Sequence, residues 1–521
     1  MQRDPMRLSL IFLAIIATPA VAADSATALP AEADVVQLQA ALKSHRTTVS
    51  AVEQHYMQRI SALDSHGPAL HSIIQLNPDA AALATQLDAA ADRTGILFGV
   101  PVVLKDNIDT ADGMLTTAGS LALMDSKPER DAFIVRRLRA SGALLLAKTN
   151  LSEWANFRSD RSTSGWSGRG GLTRNPYDTT RSACGSSSGS GAAVAADLTV
   201  LAVGTETDGS ITCPASFNGL VGIKPTVGLV SRSGIIPISA RQDTAGPMAR
   251  SVADAAALLT VIAGYDPDDP ATAPLKDAPP PDYRRFLDSG SLKGRRIGVV
   301  RKLAGFDPEV ERVFDRAVQV LRAQGAIIVD PVALPNADKL SADEYTALLY
   351  EFKDGINRYL ATRAGTSARS LAQLIDWNKA QAAREMFWFS QEHFVNAQAK
   401  GPITEAAYVK LRDGLHRLAG PEGIDAALMH DHLDALVAPN YGPAFVIDLV
   451  NGDHIASGGI GAVPAIAGYP HITVPMGQIH DLPVGLSIIG TAFSEPKLIG
   501  IAYAYEQASH ARRPPPLPRV R

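Results

Sequence analysis

Apolar residues first recur at helical spacing at Val35, Leu38, Ala41 and Leu42, then at Val52, Tyr56 and Ile60, so residues 32 to 63 are predicted helical. An Ala-rich stretch from 78 to 93 predicts another helix. From Gly95 to Asp109 the pattern becomes one continuous apolar run with Lys105 at its end, the pattern of a buried strand. Phe133, Val135 and Leu138 then share a helical face, and Ala143 to Ala147 reads as a strand. Helix followed by strand is the alternation of a layered α/β fold.

Residues 150 to 183 are rich in Ser, Gly and Arg, carry Trp154 and Trp166, and predict a long loop. The chain is organised around the next stretch, 184 to 226. It holds a Gly/Ser cluster from Gly185 to Gly191, a small-residue helix, an apolar strand from Leu198 to Val203, and a second turn at Asp208-Gly209-Ser210. Short strands and turns are predicted over 227 to 238 and a helix over 251 to 262. A Pro-rich segment, 265 to 294, reads as linker-like. The α/β pattern resumes at 296 to 300, 308 to 323 and 326 to 329. Residues 341 to 432 read as a mainly helical insertion holding Tyr350, Trp377, Phe387 and Trp388. Strand patterns return at 433 to 438, 471 to 475 and 482 to 489, before a final helix from Pro496. Strands at both ends of the sequence predict one interrupted sheet, hence a single α/β domain over 23 to 521.

Composition adds limits. Of 521 residues 46% are hydrophobic and 20% charged, enough apolar residues for a large core. Forty-nine basic residues nearly balance 53 acidic ones, so no overall field favours nucleic acid or an anionic membrane. Arg3 and Arg7 precede an apolar run, Leu8 to Ala17, and small residues Ala20, Ala22 and Ala23 come after it. This is a signal-peptide pattern over residues 1–22, too short to span a bilayer stably, with a short membrane anchor as the alternative. An exported protein, periplasmic or secreted and free of the membrane after cleavage, is expected. Its two cysteines, Cys184 and Cys213, flank the two turns; buried free thiols are expected, with a single bridge as the alternative. The basic, Pro-rich end from Ala511 is expected to be a solvated tail.

Several motifs compete for the chemistry. Gly185-Ser186-Ser187-Ser188-Gly189 matches the G-x-S-x-G nucleophile elbow, but the polar residues before it are not strand-like. Ser494-Glu495-Pro496-Lys497 matches S-x-x-K, yet reads better as a helix start. The Gly/Ser loop lacks the lysine of a P-loop. His430 and His432 lack the further ligands of a metal site and read as an exposed helix end. Serine with lysine remains: a Ser hydroxyl needs a base, and a lysine at the end of an apolar strand can supply one if burial keeps it neutral. At Lys105 the alternative is a surface ion pair with Asp106 or Asp109. Spacing alone does not show which serines converge.

These residues resemble the amidase signature family. Ser186 and Ser210 stand 24 apart, in Gly185-Ser186-Ser187 and Thr205-Glu206-Thr207-Asp208-Gly209-Ser210, before Gly222-Ile223-Lys224-Pro225-Thr226; Lys105-Asp106-Asn107 matches the upstream lysine motif. Segments 150–157, 228–232, 242–250, 417–427 and 494–498 are similar to the peptide amidase branch of that family. Ser188, Asp208 and Thr212 depart from the commoner glycine, glycine and arginine, and with the export signal they separate the chain from the tRNA amidotransferase subunits.

The resemblance implies a large mixed central β-sheet covered by helices on both faces. It implies a triad in which Ser210 attacks, Ser186, on a cis peptide bond in the family, relays the proton, and Lys105 is the base. Backbone N–H groups of Thr207, Asp208, Gly209 and Ser210 would form the oxyanion hole, with Ser187 and Thr205 in support. The implied reaction is removal of ammonia from C-terminal peptide amides by a monomer with no metal or cofactor. An amidase or esterase for small aryl or acyl amides, and a non-catalytic peptide-binding protein, are the alternatives.

Overall fold

The computed structural model describes residues 29–455, 459–518 and 520; the expected signal peptide lies outside them. Among the described residues the strands are β1 (Ile73–Leu76), β2 (Pro101–Lys105), β3 (Leu144–Thr149), β4 (Trp166–Ser167), β5 (Gly171–Leu172), β6 (Leu201–Glu206) and β7 (Val221–Lys224), followed by β8 (Thr244–Ala249), β9 (Arg296–Val299), β10 (Ile327–Val329), β11 (Ala435–Pro439), β12 (His471–Ile479) and β13 (Leu482–Ile489). β4 and β5 form a separate ribbon. The other eleven make one mixed sheet in the order β1-β3-β2-β6-β8-β7-β12-β13-β11-β9-β10.

Every residue of β2, β3, β6, β7 and β8 is buried, the condition of strands with helices packed against both faces. β2 runs parallel to both β3 and β6, and the register Leu104↔Val203 brings the end of β2 beside the end of β6. The helix Ser188–Ala195, made only of Ser, Gly, Ala and Val, is buried along its whole length and packs against β6. Small side chains allow that close approach.

Four expectations change. The apolar run from Gly95 becomes strand only at Pro101, because Gly99 is left-handed (φ 68°) and Phe98 N–H and Val100 N–H bond back to Gly95 and Leu97. β8, TAGPMA, lies where no strand is predicted, since Gly and Pro are poor central-strand residues. It is tolerated because its β7 ladder covers only Met248 and Ala249, beyond Pro247. The linker-like segment is packed, with Leu275 and Tyr283 buried in the main core. The expected solvated tail is pinned as well: Arg512 pairs with Glu32 at 2.6 Å and the Tyr177 hydroxyl donates to the Arg513 carbonyl.

Residues 341 to 430 contain the helices Ser341–Ala361, Leu371–Ala380, Ala382–Glu385, Glu392–Gln398, Ala406–Ala419 and Ala426–His430. Their apolar faces bury Leu349, Phe352, Ile356 and Phe394 against Trp154 and Ile238. That packing sets the helices over the loop between residues 150 and 183.

Candidate active site

Lys105 ends β2 with its side chain fully buried. Its Nζ donates to Ser186 Oγ at 2.7 Å, to Thr205 Oγ1 at 2.9 Å and to the Thr205 carbonyl at 3.1 Å. The surface ion pair does not form, because Asp106 pairs with Arg169 at 3.2 Å and Asp109 with Arg363 at 3.1 Å. Burial lowers the Lys105 pKa to about 7, against the opposing pull of Asp243 and Glu206. Near neutral pH a large fraction of this amine is therefore uncharged.

A short network holds the partners. Asn107 Nδ2 donates to Thr205 Oγ1 at 3.0 Å. Ser187 Oγ donates to the Thr205 carbonyl at 3.0 Å and accepts from Thr205 N–H at 3.2 Å. The Gly185–Ser186 peptide is cis, and Ser187 N–H donates to the Ser210 carbonyl at 3.1 Å, joining the two serine turns. Ser210 itself is 8% exposed, open to a cavity of about 200 Å³.

The second turn is built from β6. Glu206, its last residue, accepts from Ile211 N–H at 2.7 Å and Thr212 N–H at 2.9 Å, holding the start of the helix Thr212–Phe217. Thr207 Oγ1 donates to Asp243 at 2.6 Å. Gly209 is left-handed (φ 72°), and a Cβ there would lie 2.6 Å from the Tyr441 hydroxyl. Only glycine fits on both counts.

At the cysteines the expectation of two free thiols is corrected. Cys184 and Cys213 form a disulfide across the two turns, with Cα atoms 5.9 Å apart. Cys184 directly precedes the cis peptide and Cys213 lies three residues after Ser210, so the bridge ties both serine segments together. Spacing in sequence could not decide this, because the turns meet only through the sheet.

The cavity at Ser210 is lined by Phe157, Ile238, Leu348 and Tyr441, with Asp208 in its wall. Trp154, Ala155 and Asn156 are all left-handed (φ 50°, 55° and 70°), and this sharp turn brings Ala155, Asn156 and Phe157 to the cavity. A second cavity of about 420 Å³, lined by Asn107, Asp243 and Arg232, shares Ala155, Thr207 and Ile238 with the first. The two spaces thus adjoin at these three residues, and Ser210 lines only the smaller.

The Amidase family profile matches residues 51–499. This chain belongs to the amidase family. Across 499 residues it is 41% identical to the "Probable amidase" of Arabidopsis thaliana, covering 93% of this chain and 91% of that protein. The native peptide amidase of Stenotrophomonas maltophilia superposes with a TM-score of 0.88 at 53% identity, over 93% of this chain and 98% of that one. A peptide amidase in complex with the competitive inhibitor chymostatin gives 0.91 at 53% identity, over 94% and 99%. The mixed sheet is thus the amidase fold, and the protein is a hydrolase of carbon–nitrogen bonds in amides.

Within this amidase the decoy motifs take structural roles. Ser187, centre of the elbow match, is committed to Thr205. Ser494 Oγ bonds to the Thr491 carbonyl and Lys497 pairs with Asp434 at 3.1 Å. His430 is exposed beside Asp431. Among the described residues no group of three or more His, Cys, Asp or Glu side chains is arranged to hold a metal. Glu344, Leu348 and Tyr441 join the site without having been legible in the sequence, and Gln242 joins it from the 242–250 segment with no role assigned beforehand. Gln242 Nε2 donates to Glu344 at 2.7 Å and to the Thr207 carbonyl at 3.3 Å. Glu344, Leu348 and Tyr441 reach the site from segments whose local patterns carry no chemical signal.

Proposed function

We propose that this amidase removes ammonia from the C-terminal amide of peptides through an acyl-enzyme. Ser210 Oγ attacks the amide carbonyl and passes its proton to Ser186, whose own proton moves to neutral Lys105. The carbonyl oxygen, now negative, accepts from the backbone N–H groups of Thr207, Asp208, Gly209 and Ser210. Losing one preorganised donor at such a position costs about 2.7–4 kcal/mol. Collapse expels the –NH2 group, which takes a proton returned from Lys105 through Ser186 and leaves as ammonia. Water then attacks the Ser210 ester by the same relay and releases the acid.

The observation that carries this reading is a fully buried lysine 2.7 Å from Ser186 Oγ, with neutral oxygens as its hydrogen-bond partners. Both peptide amidase structures similar to this chain support a peptide amide as substrate. Ser210→Ala should abolish ammonia release from peptide amides while leaving the far-UV spectrum unchanged; retained turnover refutes the assignment. A panel of peptide amides, benzamide-like amides and fatty-acid amides separates the peptide reading from one in which small aryl or acyl amides are preferred.

An exported monomer is part of the same proposal. The Cys184–Cys213 bridge supports an oxidising compartment, where disulfides form and persist. Fractionation of cells making the full chain, with light scattering of the purified protein, tests location and mass.

A further inference from the structure

The Asp208 carboxyl has no part in the proposed mechanism, which employs only that residue's backbone. Asp208 is half-buried, lines the cavity that holds Ser210, and accepts no hydrogen bond from a described residue. Among the described lining residues it is the one carboxyl. A Cβ built on Gly461 would lie 2.9 Å from the Tyr441 hydroxyl and 3.6 Å from Asp208 Oδ1, so phenol and carboxyl flank the same backbone.

Its surroundings disfavour a bare charge, and a neutral carboxyl keeps its carbonyl oxygen as an acceptor. Burial and repulsion from Glu206 outweigh the attraction of Lys224 and raise its pKa to about 7. Glu344 is a further acidic neighbour.

The substrate's geometry identifies the donor. With Ser210 attacking, the carbonyl oxygen of the scissile amide faces the 207–210 turn, and its –NH2 faces the Ser186 relay. The third substituent, the Cα of the terminal residue, is left to the remainder of the cavity. There Phe157, Ile238 and Leu348 offer apolar surface for a side chain. In a peptide amide that Cα also carries a backbone N–H, a donor with no acceptor capacity. We propose that the Asp208 side chain accepts a hydrogen bond from the N–H of the substrate's terminal residue, and so selects N-acylated amino-acid amides, that is peptide amides, over amides lacking this donor. The proposal rests on the amide-hydrolase reading with Ser210 as nucleophile.

The test compares N-acetyl-leucinamide with its isostere O-acetyl-2-hydroxy-4-methylpentanamide, in which an ester oxygen replaces the N–H. Ammonia release is followed for the full chain and for Asp208→Ala and Asp208→Asn. Any intrinsic difference in reactivity between the two amides cancels when their kcat/KM ratios are compared between proteins. The N–H preference should fall by roughly 2- to 12-fold in Asp208→Ala, the range for a hydrogen bond between neutral groups. It should fall less in Asp208→Asn, which keeps an acceptor oxygen and the side-chain volume. If folded Asp208→Ala slows both substrates equally and leaves the ratio unchanged, Asp208 is a structural residue and the proposal is overturned. If the unaltered protein releases ammonia from neither substrate but does so from other amides, the peptide reading fails with it; turnover with an unchanged ratio removes only the Asp208 assignment.

Discussion

Lys105 Nζ and Ser186 Oγ lie 2.7 Å apart, although 81 residues separate them in sequence. Their meeting depends on β2 and β6 lying side by side in parallel, with Leu104 opposite Val203. A lysine at the end of a fully buried strand has no water to solvate its charge, so its proton is held weakly.

That relationship fixes a pH profile. Below about 7 Lys105 is protonated and cannot accept from the proposed relay; above it the amine is neutral. Thus kcat/KM for amide hydrolysis should rise with pH on an acid limb and level off above about 7. Lys105→Ala should lower kcat by about 10²- to 10⁴-fold and remove that limb. Steady-state ammonia release across the pH range checks both.

Thr205 tests the network one step out. Its Oγ1 accepts from both Lys105 and Asn107. Thr205→Val leaves two buried donors short of an acceptor and should cost roughly 10- to 100-fold in kcat, whereas Thr205→Ser should stay near the parent value. Loss in Thr205→Ser with Thr205→Val near the parent value would mean that the methyl group, not the hydroxyl, is what matters.

Gly209 is constrained by conformation and by space. Gly209→Ala places a methyl 2.6 Å from the Tyr441 hydroxyl at a left-handed residue, displacing the turn whose N–H groups we propose as the oxyanion donors. Turnover should fall by about 10²- to 10³-fold. Adding Tyr441→Phe removes the colliding oxygen and should restore part of it, the remainder reflecting the backbone.

The disulfide should show in both thiol count and stability. Native protein should give no reaction with a thiol reagent until it is reduced, and two thiols after denaturing reduction. Chain-entropy reasoning for a separation of 29 residues gives about 3–4 kcal/mol. A Cys184→Ala, Cys213→Ala protein should therefore unfold at lower urea, and its activity should drop because both serine turns lose their tie.

A buried carboxyl pair predicts how stability varies with pH. Glu153 pairs with Arg158 at 2.8 Å, while Glu385 accepts from Ser120 Oγ and from Leu121 N–H; both carboxyls approach Gly168. Burial raises both pKa values above the ordinary carboxylate range, and Glu385 adds repulsion at Glu153. A raised folded-state pKa gives stability that is present at low pH and lost as pH rises through that value. Glu385→Gln should flatten this decline, measured as urea midpoints from about pH 5 to about pH 8. An unchanged slope would remove the pair as its source.

The sequence by itself determined the strands and helices whose apolar periodicity is strong: the helix at 308–323 and the strand at 482–489 fall where the pattern sets them. It also determined the serine and lysine motifs, because their spacing is local or family-specific. It did not determine β8, whose Gly and Pro hide a strand that only its neighbours stabilise. Nor did it determine the state of the cysteines or the walls contributed by Leu348 and Tyr441. Those come from the tertiary structure, because strand order in the sheet and helix packing over it bring together residues that carry no mark of each other along the chain. Chemical type is written residue by residue; proximity is decided by which apolar faces must be buried together.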